Sequence, residues 1–318
     1  MNDNDLLREF EGDIKKACIV DLDTIKPEMD RTFINGKPRG EKTHFPPIDD
    51  LDCFTWKKGA LYCITGNPAS GKSELMNTLS LLKSINDGWT WMVYSPESYP
   101  VMDYVDTLIH TYIGKSTDSF YSNQMNKAQY DKGYKFVKKH YFPIDFEHIP
   151  TVTQIKEVFA ETNCDGLIID PYNSIDDEGQ PIYNFLKSSL TEWKMIAQKQ
   201  NRAIVLIEQP HSANSLDDQG NPREPSEYTL SGGKMWHNKC DVIGVVHRPL
   251  VHSDPLATIV TFRTRKVKNQ KLNGFPGCVD LNFDRTANRY YVLNPNGSGD
   301  KVTGFEKKKD MNQYQILD

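Results

Sequence analysis

The sequence predicts an α/β fold built on a mainly parallel sheet flanked by helices, with antiparallel strands added at its C-terminal edge. Three observations carry that prediction. From residue 60 to residue 208, short apolar runs of strand length alternate with stretches of helical periodicity, the trace that parallel strands and their crossover helices leave in a sequence. A glycine-containing turn, residues 66–73, stands between the first run and the first helix. From residue 241 onward, four β-type segments follow one another through Gly- and Asn-rich turns, the manner in which antiparallel strands extend a parallel core.

The elements follow in order. Two short amphipathic stretches, Leu6–Ile19 and Asp23–Phe33, end at the breaker cluster Asn35-Gly36-Lys37-Pro38-Arg39-Gly40, and a second breaker follows at Phe45-Pro46-Pro47. The compact core is expected to begin near Ile48. Ala60–Thr65 reads as a buried strand, and Ser73–Asn86 as a helix with apolar positions at 75, 76, 79 and 82. Trp89–Ser95 is the second strand, Pro100–Ile113 and Gln124–His140 are helices, and Phe142–Ile149 is a short strand. Thr151 caps a helix running to Thr162. Gly166–Asp170 is a strand, Ile182–Gln200 a helix and Arg202–Glu208 a strand. Asp241–His247, Ala257–Lys268, Cys278–Phe283 and Arg289–Leu293 complete the sheet. We expect an arm over 1–40, one domain over 41–295 and a flexible tail over 296–318, where Gly-Ser-Gly and Lys307-Lys308-Lys309 replace any apolar pattern.

Composition narrows the function. The chain has 318 residues, 38% hydrophobic and 25% charged, enough to bury a core. A net charge of −5 excludes a protein that coats nucleic acid by bulk charge, while leaving room for a local basic site. No apolar run approaches the ~18–20 residues that span a bilayer, and the acidic start, MNDNDLLREFEGD, lacks the layout of a signal peptide. The six cysteines form no CxxC pair, so we read them as free thiols in a reducing cytoplasm rather than a zinc site or disulfide framework.

The sharpest signal is Gly66-Asn67-Pro68-Ala69-Ser70-Gly71-Lys72-Ser73. It fits GxxxxGK[ST] between a strand and a helix, the context that this phosphate-binding loop requires. Backbone N–H groups curl around a phosphate at a helix N-terminus. Lys72 reaches the β- and γ-phosphates, and the Ser73 hydroxyl serves Mg²⁺. Asp170 closes the apolar strand Leu167-Ile168-Ile169, as an acid that holds a magnesium shell does. Glu97, just after the second strand, is placed to orient or deprotonate an attacking water, or else to cap the helix that follows. Gln209, after the strand Arg202–Glu208, is a candidate γ-phosphate sensor, or else a plain strand terminus.

The ordered set GNPASGKSE, YSPES, LIIDPYNSI, IVLIEQPH, SGGKMWHNKCDVIGVVHRP, RTRKVKNQ and GFPGCVDLNFD resembles the RecA-type ATPase domain of replicative hexameric DNA helicases. It is similar to the DnaB C-terminal domain, the helicase half of phage primase-helicases, and Twinkle. The resemblance covers roughly residues 36–295. It implies a RecA-like P-loop core that uses ATP and Mg²⁺, with Gly66 through Ser73 and the adjoining Glu74 at the nucleotide. It also implies Glu97 as catalytic glutamate, Asp170 as the metal-site acid and Gln209 as sensor. Arg248 and Phe283 would lie on opposite faces of the base, a sound stacking arrangement. The family's trans-acting finger is an arginine two residues after a lysine. Here the segment reads Lys266-Val267-Lys268, so a point-charge ammonium stands where a bidentate fork would be; Arg263 and Arg265 are substitutes, and a solvated basic strand face is the plain alternative.

The resemblance further implies a homo-oligomeric, hexameric ring around single-stranded DNA, with Asp23–Phe33 as a helix docking on the next subunit. A separate primase or another replisome protein is then an expected partner, and no membrane is. DNA would meet the loops Pro171–Pro181 and Pro210–Leu230. Both carry acids, namely Asp176, Asp177 and Glu178 in the first and Asp217, Asp218 and Glu224 in the second. Contact would therefore fall to backbone amides and to Asn173, Ser174, Asn214 and Ser215, unless these are ordinary acidic surface loops. The function expected is an ATP-hydrolysing replicative helicase in the cytoplasm of a bacterial or phage-infected cell. The alternatives are a RecA-like recombination ATPase forming filaments on DNA, a regulatory ATP-binding module and a small-molecule kinase.

Overall fold

The protein is described by a computed structural model over residues 20–211, 216–294 and 298–306. The stretch Leu6–Ile19, the loop residues Asn214 and Ser215, and Lys307-Lys308-Lys309 lie outside the described residues. The chain divides into two units, residues 1–39 and 40–318.

The described part of the first unit is one helix, α1 (Leu22–Asn35), capped by Asp21, whose carboxylate accepts the Asp23 N–H at 3.0 Å. A Lys26–Asp30 pair at 2.5 Å spans one turn. Phe33 is 90% exposed and Ile34 77%.

The second unit opens with α2 (Pro46–Asp49), then β1 (Leu61–Thr65), α3 (Lys72–Asp87), β2 (Trp91–Tyr94), α4 (Val101–Ile113), α5 (Lys127–His140), β3 (Tyr141–Ile144), α6 (Val152–Glu161), β4 (Gly166–Ile169), α7 (Ile182–Gln200) and β5 (Ala203–Glu208). It continues with α8 (Gly233–Lys239), β6 (Val242–His247), β7 (Ile259–Val267), α9 (Gln270–Asn273), β8 (Cys278–Asp284), β9 (Arg289–Leu293) and β10 (Lys301–Val302). The ten strands among the described residues form one sheet in the order β10-β9-β8-β7-β6-β1-β5-β4-β2-β3. Pairing is parallel from β6 to β3 and antiparallel from β7 outward.

Burial explains the division. Every residue of β1, β2, β4, β5 and β6 is buried, as parallel strands covered on both faces must be. β7 instead alternates buried and exposed positions, the half-covered pattern of an antiparallel extension. Alternate side chains of the central strands feed two cores. Tyr62, Ile64, Val205 and Ile207 pack with Leu75 and Leu79 of α3 on one face. Leu61, Cys63, Ile204 and Leu206 pack with Phe159 of α6 and Trp193 of α7 on the other. Capping boxes begin α5 (Asn126 with Gln129) and α6 (Thr151 with Gln154).

Three details depart from the sequence reading. Ordered packing begins at Gly40 rather than near Ile48: Glu41 bridges to Trp56, and the Asp49 carboxylate accepts the Thr43 and His44 N–H groups at 2.8 and 2.9 Å. The proline pair read as a breaker opens α2 instead, since proline is tolerated at the first helical position. Within the expected tail, Lys301–Val302 pair with Val292–Leu293, and Phe305 covers the Arg289 guanidinium at 4.1 Å. A strand pair, cation–π contacts and the Lys301–Asp284 ion pair at 2.6 Å hold a stretch whose composition is otherwise polar.

Candidate nucleotide site

The register puts three strand ends together. Thr65, the last residue of β1, is level with Glu208 on one side and Val245 on the other. The 66–71 turn leaves from that point, and α3 begins at its far side. Two glycines are required there. A Cβ on Gly66 would meet the Val246 carbonyl oxygen at 2.2 Å, and one on Gly71, at φ 92°, would meet the Tyr290 hydroxyl at 2.1 Å.

Lys72 is 7% exposed and its ammonium donates to the Gly66 and Asn67 carbonyls at 3.0 and 3.1 Å. It thus lies across the cradle that a phosphate would enter. Burial holds its pKa below the usual lysine range, against the pull of Asp170, Glu74, Glu97 and Glu208. Ser73 donates its hydroxyl to Asp170 Oδ2 at 2.5 Å. Burial pushes the Asp170 carboxyl up to about 6, opposed by Ser73 and Lys72 and reinforced by Glu97 and Glu74. A hydroxyl and a carboxylate poised on one another beside a backbone cradle are the donor set that Mg²⁺ and a polyphosphate take. Glu97 stands exposed on the turn after β2, close enough to Lys72 and Asp170 for its charge to act on both.

Arg248 and Phe283 come together on the other side of the loop. Both line a pocket of about 270 Å³ with Ala69, Glu74 and Tyr290. Arg248 donates to the carbonyls of Ala69 (3.2 Å), Pro255 (3.3 Å) and Ala257 (3.4 Å). Phe283 leans on Tyr290, whose hydroxyl donates to the Gly71 carbonyl at 2.9 Å. Gln209 lines a second pocket of about 270 Å³ with Glu208, His211, Tyr172 and Asn173. That pocket lies between the loops that follow β4 and β5.

Lys266 and Lys268 are elsewhere. Val267 pairs with Val242, the first residue of β6, whereas the phosphate loop sits level with the far end of that strand. Both lysines therefore occupy the end of the sheet opposite their own loop. Lys266 donates to the His237 carbonyl, and Lys268 to those of Asn238 (3.2 Å) and Lys239 (3.4 Å), cations at the negative end of α8. Arg263 and Arg265 are both engaged by Glu224, at 2.9 and 2.6 Å.

The sequence reading passed over Glu208. It is 8% exposed, accepts the Gln209 N–H at 3.0 Å, and its carboxyl is pushed by burial up to about 7, with Gln209 and Lys72 pulling the other way. The signal was available, since an acid closing an apolar strand is what singled out Asp170. Tyr290 was passed over too, because its contact with Gly71 joins residues far apart in the chain.

A scan against models of protein families finds no match. The chain is 28% identical over 282 residues to the Twinkle homolog protein, chloroplastic/mitochondrial, of Arabidopsis thaliana; the match covers 85% of this chain and 38% of that protein. The chain thus spans about two-fifths of that relative's length. Among solved structures, the ATPase domain of G40P superposes with a TM-score of 0.68 at 16% identity, over 88% of this chain and 99% of that one. A DnaB-like replicative helicase, described with its interactions with primase, gives 0.66 at 14% identity, over 89% of this chain and 70% of that one. The RadB recombinase gives 0.51 at 12% identity, over 77% and 97%. The fold is RecA-like, and the resemblance read from the motifs is borne out at the level of this domain.

Proposed function

From a RecA-type domain of the replicative-helicase kind, we propose that the chain hydrolyses Mg-ATP at the subunit interfaces of a hexameric ring, translocates on single-stranded DNA and separates duplex strands. The observation that carries the proposal is the split of charge across the sheet. Lys72, Ser73, Asp170 and Glu97 gather at one end, while Lys266 and Lys268 stand at the other. A subunit so built has a phosphate site without a second cation from that pair, and a cation pair without a phosphate. Stacking copies head to tail joins the two.

In this reading the loop amides and Lys72 hold the phosphates, and Arg248 and Phe283 take the two faces of the adenine. Ser73 and Asp170 hold Mg²⁺, which supplies Lewis-acid polarisation of the phosphoryl oxygens. Glu97 receives the proton of the water whose oxygen attacks the γ-phosphorus, and the bond to the β–γ bridging oxygen breaks with ADP leaving. Gln209 reports the loss of the γ-phosphate to the loops after β4 and β5, which meet the DNA. Lys268 and Lys266 of the neighbouring copy stabilise charge on the transferred group. A primase is a partner suited to such a ring, as the DnaB-like helicase described with its interactions with primase suggests.

Lys72→Ala is expected to abolish DNA-stimulated ATP turnover; normal hydrolysis in that variant would sink the site assignment. Imaging with ATP and single-stranded DNA separates closed rings from the open filaments of a recombination ATPase, the reading that the RadB likeness keeps in view.

A further inference from the structure

The long loop after β5 does not stand away from the body along its whole length. Leu216 bridges to Pro222, and two anchors pin this stretch beside the phosphate loop. Asn221, 1% exposed, accepts the His252 and Ser253 N–H groups at 3.3 and 2.9 Å. Glu224 accepts from Arg263 Nε at 2.9 Å and Arg265 Nη2 at 2.6 Å on β7. Between the anchors, the carbonyl of Arg223 accepts the side-chain amide of Asn67 at 3.5 Å. The Asn67 carbonyl in turn accepts the Lys72 ammonium at 3.1 Å. The backbone of Arg223 is thus one loop residue removed from the phosphate-holding lysine. Its side chain is exposed, with Nε donating to the Leu216 carbonyl at 3.2 Å.

Other cations near the loop are already engaged, Arg248 with the carbonyls of Ala69, Pro255 and Ala257. Arg263 and Arg265 are committed to Glu224, and the finger segment offers ammonium groups in place of a guanidinium. A planar guanidinium matches phosphoryl oxygens bidentately where an ammonium cannot. We propose that Arg223 is a cis-acting phosphate ligand, whose guanidinium takes the terminal phosphate of nucleotide bound to its own chain. Glu224 and Asn221 are positioning residues that hold it there. The inference rests on the ATP-hydrolysing reading above.

The test uses the full chain with Mg-ATP, and a fluorescent ATP analogue to follow binding. Arg223→Ala is expected to lower kcat by about 10²-fold or more, with analogue affinity changed only a few-fold; Arg223→Lys recovers part of the loss. Glu224→Gln lowers kcat with Arg223 still present. Mixing separates cis from trans. Arg223→Ala chains mixed with Lys72→Ala chains recover no turnover, because each chain spoils its own site. Lys268→Ala chains mixed with Lys72→Ala chains do recover it across interfaces. Turnover of Arg223→Ala within threefold of the parent, or recovery in the first mixture, overturns the inference. If the parent chain hydrolyses no ATP, the underlying reading fails and the inference falls with it. A parent that turns over while Arg223→Ala matches it condemns the inference alone.

Discussion

Glu208→Gln makes the energetics of the site measurable without nucleotide. In the folded chain the Glu208 carboxyl is raised from 4.5 to about 7, chiefly by burial. The folded state therefore holds this proton more tightly than the unfolded state does. Its contribution to stability is whole below pH 4.5 and is lost as pH rises toward 7. At about 1.4 kcal/mol for each tenfold change in proton affinity, keeping Glu208 ionised in the fold costs about 3 kcal/mol. Glutamine preserves the volume and a carbonyl acceptor for the Gln209 N–H, now bonded at 3.0 Å, but has no proton to lose. The variant should match the parent near pH 4.5 and be more stable above pH 7 by about 3 kcal/mol. With about 2 °C of Tm per kcal/mol in a chain of this size, the gap opens to about 6 °C. Thermal unfolding of both proteins without nucleotide, from pH 4.5 to 8.5, reads it directly. A gap that stays constant across that range would refute the argument.

Two further outcomes follow from the geometry. Tyr290→Phe removes the donor to the Gly71 carbonyl at 2.9 Å and should cost about 1 kcal/mol of stability, read as a denaturation midpoint, together with weaker ATP-analogue binding. Unchanged binding would detach Tyr290 from the site. Lys268→Ala should lower ATP turnover while leaving single-site analogue binding intact, and Lys268→Arg should retain or raise turnover because a fork replaces a point charge. Equal loss of binding and turnover in Lys268→Ala would place that lysine in its own subunit's site.

What was legible in the sequence was whatever local chemistry dictates. Ile182–Gln200 and Arg289–Leu293 form as read, and Thr151 caps α6 through its bond with Gln154. The phosphate loop is legible because its glycines, lysine and serine are adjacent in the chain. What stayed hidden depends on contacts between distant residues. Helix α8 is seven residues long, too short for periodicity to register, and Trp236 within it is buried where α8 packs on α7 and against the ring of Tyr172. The pairing of β10 with β9 follows a polar stretch of sequence with no apolar run to announce it. The anchoring of residues 216–225 needs Arg263, Arg265 and the 252–253 backbone to arrive from later strands. A loop read from its own residues shows only its acids.

Those acids take another meaning in the fold. Asp176 and Asp177 accept the N–H groups of Glu178 and Gly179 at 2.8 and 2.9 Å, and Asp217 accepts those of Gln219 and Asn221 at 2.9 and 2.8 Å. Each carboxylate closes its own turn, the use that short acidic side chains find in loops. Glu224 is spent on two arginines. The carboxylates of Asp176, Asp177, Asp217 and Glu224 are therefore turn and anchor chemistry, and they do not by themselves mark the loops as surfaces that turn DNA away. Nor do they supply attraction, and the chain's net charge of −5 supplies none at long range. A single subunit has little with which to hold a strand against salt. In the proposed ring, affinity would have to come from the same weak contact repeated around one strand, where each engaged loop raises the effective concentration of DNA at the next. In the proposed ring, closure and retention of DNA would then be one requirement, and it would coincide with the proposed joining of Lys268 to a neighbour's phosphate site.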